Sequence, residues 1–174
     1  MKKTLIVLFA ILVFSEAEAF SAAPGPNPEN APCTEINFKE ISVPLDFVIV
    51  YDRGCRQCTG PALRTHVEVR ADGTVKYFKG YVKASLPLQE LPFEQRQISQ
   101  EKVKKIYARV IGCGFFELRE YYKNPNPRMM GDTWWISVAA SGKSYTVMLY
   151  NTSVKKFDSI LKTLYKEAGI QTDH

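Results

Sequence analysis

The sequence has only two histidines, one Cys-x-x-Cys motif and no Gly-x-Ser-x-Gly motif. Without the serine motif, nothing supports a hydrolase built on a nucleophile elbow. A single Cys-x-x-Cys without a second pair is weak support for a zinc site. After the N-terminus, no apolar run approaches the ~18 residues of a membrane-spanning helix. The enzyme and membrane classes with the clearest sequence signatures are therefore unsupported.

Glycine and proline are not enriched, with ten of each among 174 residues, which excludes a collagen-like or low-complexity chain. Hydrophobic residues make up 45% and charged residues 24%, the balance of an ordinary globular protein, and the length allows one domain. The formal net charge is +5, with lysines spread over two predicted helices. Such spreading is typical of solvated helix faces, so we expect no nucleic-acid partner.

The N-terminus has the layout of a secretory signal peptide. Lys2 and Lys3 precede an apolar run from Leu5 to Phe14, and Ala17-Glu18-Ala19 offers a cleavage site. Residues 1–19 are therefore predicted to be removed on export, which leaves a periplasmic or secreted protein without a membrane span. The proline-rich residues 20–35 are predicted to form an extended tether. Residues 36–170 are predicted to form a single α+β domain.

All four cysteines follow the predicted signal peptide, and an even number in an exported chain favours disulfides. Four cysteines allow three pairings. Cys55 and Cys58 are close in sequence and can close a small ring, which favours that pair. Elimination then leaves Cys33 with Cys113, a bond that would tie the tether to the domain.

Alternating apolar residues predict strands that pair as hairpins. Leu63, Thr65, Val67 and Val69 lie on one face of a strand, and Asp72-Gly73 is a turn that returns the chain. Two later segments have the 3.6-residue apolar period of helices. The predicted fold is α+β, a mostly antiparallel sheet built from hairpins with two helices packed on one face. Its elements are strands at 47–51, 63–70, 75–81, 133–140 and 143–150, and helices from Ser99 to about Ile111 and from 154 to 168, with Thr152 or Ser153 as the second N-cap.

Two further features concern the other face of the predicted sheet. Residues 83–97 are predicted to be a loop that packs on the domain surface, because Pro87 and Pro92 block a helix. His66 alternates with the buried positions of its strand, so we expect it on the solvated face beside Glu68. A lone histidine in that position is more often a solvated neighbour than a catalytic base.

Several short motifs fall at the turns and ends of these elements: Cys55 and Cys58 after the first strand, Asp72-Gly73-Thr74-Val75 in a hairpin, Gly114-Phe115-Phe116-Glu117-Leu118 after the first helix, Asp132-Thr133 before a strand, and Gly142-Lys143 in the second hairpin. Together with the closing helix, this pattern resembles the bacterial domain-of-unknown-function family DUF6438 over roughly residues 41–168. The family usually has three residues between its two cysteines, whereas this sequence has two. The resemblance implies the fold and implies no catalytic residue.

The Cys55–Cys58 motif has two interpretations. A thiol–disulfide oxidoreductase would use basic neighbours such as Arg53 and Arg56 to stabilise a thiolate. The residues Thr59-Gly60-Pro61, however, would break the helix that such a motif normally opens, which favours a structural disulfide. A zinc site using Cys55, Cys58, Cys113 and His66 is a weaker alternative.

A candidate binding patch combines aromatic residues with a methionine pair. Trp134 and Trp135 are adjacent, so on a strand they face opposite sides, one in the core and one on the surface. Asp132 beside them would suit a glycan only if a second carboxylate completed an acid–base pair. The candidate residues of this patch are Tyr121, Tyr122, Met129, Met130, Trp134 and Trp135.

From these observations we expect an exported, non-catalytic binding or accessory module. No catalytic residue, metal ligand or cofactor is predicted. The expected partner is an unidentified envelope protein or ligand. The alternative function is a thiol–disulfide oxidoreductase that uses Cys55 and Cys58.

Overall fold

The structure is a computed structural model that describes residue 29 and residues 31–55, 58–126 and 131–171. The predicted signal peptide, residues 1–19, lies outside the described residues. So do Arg56, the methionine pair Met129 and Met130, and most of the predicted tether.

Seven strands of the described residues form one sheet, and two helices accompany it. The strand order is β4-β3-β2-β1-β6-β7-β5, and every neighbouring pair is antiparallel except β5 with β7. The predicted α+β class with a mostly antiparallel sheet is confirmed. The strands are β1 Val48–Gly54, β2 Pro61–Arg70, β3 Thr74–Lys83, β4 Glu94–Gln97, β5 Tyr121–Lys123, β6 Thr133–Ala140 and β7 Lys143–Tyr150, and the helices are α1 Gln100–Gly112 and α2 Lys155–Ala168.

The hairpin between β6 and β7 turns at Ser141 and Gly142, whose φ angles are 52° and 72°. Two consecutive positive φ angles match the right-handed twist of the strands, and glycine adopts them without strain. The Asp46 carboxylate accepts hydrogen bonds from the Ser141 and Gly142 amides at 2.8 and 2.6 Å. These bonds hold the pKa of Asp46 below its usual value and fasten the turn to the segment before β1.

Both helices pack on one face of the sheet, which we call the inner face. Ile49, Val69 and Val138 lie on this face in paired register, and all three are fully buried. They share one core cluster with Ile106 of α1 and Leu164 of α2. Burial of this continuous apolar layer is the main force that holds the helices to the sheet.

The ends of the helices match the sequence expectation in part. The Ser99 side chain caps α1 by accepting from the Lys102 amide, as predicted. The predicted cap of α2 is wrong, because Val154 occupies the N-cap position and no side chain caps it. Gly169 ends α2 in the left-handed conformation, with φ 67°. The apolar period of α1 predicts that Ile111 is buried with Val103 and Ile106, but Ile111 is 38% exposed.

The opposite face of the sheet, the outer face, corrects the prediction for His66. Residues 84–93 cross this face: the Leu86 carbonyl accepts from Arg64 at 3.0 Å, and Phe93 packs on His66 with ring centroids 5.1 Å apart. His66 is therefore 1% exposed rather than solvated. The loop prediction is wrong at the end of this segment, where β4 pairs with β3.

The N-terminal segment is attached to the end of α1. Thr34 donates its amide to the Gly112 carbonyl at 2.8 Å. The Arg119 guanidinium binds both carboxylate oxygens of Glu29 at 2.5 and 2.6 Å. Packing against the domain therefore begins before Ile36, the expected first residue of the domain.

Candidate functional site

A cleft formed by the described residues lies where β1 ends and β2 begins. Its volume is about 780 Å³, within the range usual for small-ligand sites. Cys55, which follows the last residue of β1, and Cys58, which precedes β2, form a disulfide that lines one side. Pro61 and Leu63 of β2 continue this side as an apolar wall.

The cleft is open because the strands extend past the cover that the helices provide. Leu63 and Tyr81 are paired on the inner face of β2 and β3, yet Tyr81 is 76% exposed. Four residues earlier on β3, Tyr77 is packed against the core cluster. The same face of the sheet is thus core near α1 and surface near the Cys55–Cys58 disulfide.

An aspartate and a tryptophan, Asp132 and Trp134, line the cleft at β6, and Arg53 of β1 contacts both. Arg53 and Trp134 are paired across these strands, and the guanidinium lies 5.5 Å from the indole centroid. Arg53 donates from Nε to Asp132 Oδ2 at 2.9 Å and makes a second bond to the same oxygen. The Nε1 of Trp134 is buried and has no hydrogen-bond partner in the described part of the chain. Any ligand or water oxygen that reached it would gain a bond that the protein does not supply.

The opposite wall carries amides and hydroxyls. Asn124, Asn126 and Asn151 line it together with Thr152 and Ser153. Local backbone requirements account for two of the asparagines: the Asn124 side chain accepts from the Asn126 amide at 2.9 Å, and Asn151 has a positive φ of 50°. Asparagine suits both positions, because its side chain bonds the backbone two residues on and its own backbone tolerates a positive φ. The resulting wall is rich in neutral groups that both donate and accept hydrogen bonds.

On the inner face, two tyrosines lie near Trp134 and line a second, smaller cavity of about 160 Å³ with it. Tyr51 of β1 and Tyr165 of α2 pack edge to face with ring centroids 5.8 Å apart. Burial raises the pKa of both hydroxyls above the ordinary tyrosine value. Both rings are therefore neutral at physiological pH and act as packing groups near Trp134.

The structure contains both predicted disulfides, Cys33–Cys113 and Cys55–Cys58. Cys58 is followed by β2 from Pro61 onward, so it does not open a helix as in thioredoxin-like motifs. The zinc alternative is wrong, because Cys113 is bonded to Cys33 and His66 lies buried on the outer face.

The described residues of the predicted aromatic patch do not share one surface. Trp134 lines the cleft on the inner face, whereas Trp135 is paired with Asp52 and Met148 on the outer face. Tyr122 is buried. Tyr121 is 51% exposed and lies in the same outer row as Met148. Met129 and Met130 lie outside the described residues.

A second polar cluster is buried on the outer face. Asp52 Oδ2 lies 3.4 Å from His66 Nδ1 and 3.3 Å from an Arg64 guanidinium nitrogen. Asp52 and His66 are 3% and 1% exposed. With Phe93 packed over the imidazole, this cluster is closed to substrate and instead fixes residues 84–93 to the sheet.

No model of a protein family and no curated protein sequence matches this chain. The resemblance to DUF6438 therefore stays a prediction. Of the cleft residues, sequence reasoning identified Cys55, Cys58 and Trp134. It missed the three asparagines, because asparagine in these segments indicates a turn and not a ligand site.

Proposed function

We propose that this protein is an exported, non-catalytic binding module whose ligand site is the cleft beside the Cys55–Cys58 disulfide. The observation that carries this proposal is the cleft itself. Four regions of the described chain meet there around about 780 Å³ of open space: residues 55 and 58–63, 124–126, 131–134 and 151–153. Such a concave site with a few convergent polar groups is the usual form of a ligand site.

Export is supported by two features of the chain. The N-terminal residues have the signal-peptide layout, and the two disulfides are of the kind that persist in oxidising compartments. The membership in DUF6438 is also a proposal, and it adds no activity. Neither described helix has the length and apolar character that crossing a bilayer requires.

A binding role agrees better with the side-chain environments than a catalytic one. Asp132, the carboxylate among the described lining residues, is engaged by Arg53. His66, the candidate base, is enclosed beneath Phe93. The cysteines that line the cleft are joined to each other between two strands.

A thermal-shift screen tests the proposal with the chain from residue 20 onward, produced in an oxidising compartment. A ligand that binds only the folded state stabilises it, by about 2.7 kcal/mol at a hundredfold excess over Kd. We expect stabilising compounds whose effect Trp134→Ala abolishes. Leu45→Ala is the control, because Leu45 is fully exposed near the start of β1, away from the cleft. No stabilising compound, or equal stabilisation of Trp134→Ala, contradicts the proposal.

The oxidoreductase alternative has its own test on the same protein. The purified protein is assayed for catalysis of thiol–disulfide exchange on a dithiol peptide, beside a Cys55→Ser/Cys58→Ser variant. We expect equal background rates from both. Catalysis by the unmodified protein that the variant lacks would replace the binding proposal with the oxidoreductase.

A further inference from the structure

The charge in the cleft is balanced. Among the described residues that line it, Asp132 is the one charged side chain, and Arg53 binds its carboxylate through two N–H groups. The other polar lining groups are amides and hydroxyls. The described lining residues therefore offer no unpaired cation to a phosphate or carboxylate ligand, and no unpaired anion to a cationic one.

The neutral groups of the cleft are suited to a ligand with many hydroxyls. An amide side chain offers two donors and an acceptor, and a hydroxyl offers both, so each can match a hydroxyl in either orientation. Asn126 contributes such a side chain from an exposed position. Opposite lie Trp134 and the apolar groups of Pro61 and Leu63. The cleft thus pairs hydrogen-bonding groups with apolar surface, as the C–H faces and hydroxyls of a sugar ring require.

We propose that the ligand of this cleft is a neutral oligosaccharide. This inference rests on the proposed binding function and names the ligand class. A peptide that binds by adding a strand to a sheet edge is the less suitable occupant. The strands that border the cleft, β1, β2 and β6, are all interior strands of the sheet.

The test uses a variant that makes one tryptophan a reporter. The chain has two tryptophans, so Trp135→Phe leaves Trp134 as the only indole. Fluorescence of this variant is titrated with three probes: tri-N-acetylchitotriose, a trimer of galacturonic acid, and trialanine. We expect the neutral sugar alone to give a saturable change. The reciprocal variant Trp134→Phe keeps only Trp135, which lies on the outer face. Its fluorescence should not change with any probe.

Two substitutions in the reporter background test how the sugar is held. Asn126→Leu removes an amide from the cleft, and we expect about 3- to 10-fold weaker binding, the effect of one hydrogen bond. Gln95→Leu is the matched control on the exposed edge strand β4 and should leave binding unchanged. Asp132→Asn leaves Arg53 unbalanced, so the acidic trimer should gain binding.

The outcomes separate the ligand class from the binding function. Saturation by the acidic trimer or by trialanine without the neutral sugar overturns the carbohydrate inference and leaves the proposed binding function standing. If none of the probes changes Trp134 fluorescence at millimolar concentration, the inference is also overturned, and the thermal-shift screen decides the binding function separately. Equal losses from Asn126→Leu and Gln95→Leu would place the sugar outside the cleft.

Discussion

The two disulfides of the described residues have different surroundings. Cys33–Cys113 joins residues 80 apart in sequence, and Cys113 is fully buried in the core beside α1. Cys55–Cys58 joins residues three apart and lines an open cleft. Near α1, the described inner-face residues Val67, Val69 and Val75 are fully buried. At the cleft the same face is uncovered, so its polar groups remain accessible.

This contrast separates stability from binding. Substitutions at the covered end should lower the free energy of unfolding, whereas those in the cleft should alter ligand binding at little cost to the fold. Pairs of similar substitutions, one in a buried environment and one in an open environment, test this separation of stability from binding.

The largest effect is expected for Val67→Asp. Val67 is fully buried on the inner face of β2. An uncompensated carboxylate there should cost about 5 kcal/mol or more, enough to unfold most domains. Leu63→Asp is the control, because Leu63 lies on the same face of the same strand but at the cleft. Urea unfolding followed by circular dichroism should show a much smaller loss for Leu63→Asp, and equal losses would refute the contrast.

Next in size is the loss from Asp52→Ala. Removing this buried carboxylate leaves Arg64 and His66 without the group that both approach, a change that typically costs about 3–5 kcal/mol. Asp132→Ala breaks an ion pair whose two side chains are more than a third exposed, and should cost about 1 kcal/mol or less. Denaturant midpoints compare the two variants. A smaller loss of stability for Asp52→Ala than for Asp132→Ala would show that the outer-face cluster contributes little to the free energy of unfolding.

Removal of the two disulfides should have unequal effects. Cys33→Ser/Cys113→Ser opens a long loop and should cost about 2–5 kcal/mol, while Cys55→Ser/Cys58→Ser opens a short one and should cost about 2 kcal/mol or less. The measurement is the free energy of unfolding of each double variant. The opposite ranking would mean that the small ring, rather than the N-terminal attachment, supports the fold.

The smallest effect is expected for Arg70→Ala. Arg70 lies at the end of β2 with a side chain 49% exposed, paired with Glu68. Substitution there should cost about 0.5 kcal/mol or less. A shift in melting temperature comparable with that of Val67→Asp would contradict the register of β2.

The hairpins were predictable because their cues are local. The alternation from Leu63 to Val69 with Asp72-Gly73 predicts β2, its turn and its return strand. The predicted bounds 133–140 and 143–150 match β6 and β7. The fold class follows from these hairpins together with the helical periods.

The elements that sequence reasoning missed depend on distant partners. Glu94–Gln97 is polar and exposed throughout, and it is a strand because β3 offers an unpaired edge. Tyr121–Lys123 is a strand through parallel pairing with β7. Alternation placed His66 on the correct face, but it contained no information on residues 84–93, which cover that face.

The candidate site was predicted only in fragments for the same reason. The cysteine spacing located one wall, and the adjacent tryptophans indicated that one of them faces outward. The amide wall forms only when the β5, β6 and β7 ends meet, because Asn124 and Asn151 are far apart in sequence. Turn residues therefore gave no sign that they line a common cleft.

The central claim is that Cys55–Cys58 is a structural wall of a binding site and not a redox centre. A redox titration of the chain from residue 20 onward in glutathione buffers, with thiol alkylation and peptide mapping, tests it most directly. We predict that both disulfides stay oxidised, with potentials below about −300 mV, as is usual for structural bonds. Equilibration of Cys55–Cys58 with glutathione near about −200 mV, while Cys33–Cys113 stays oxidised, would contradict the claim and favour the oxidoreductase.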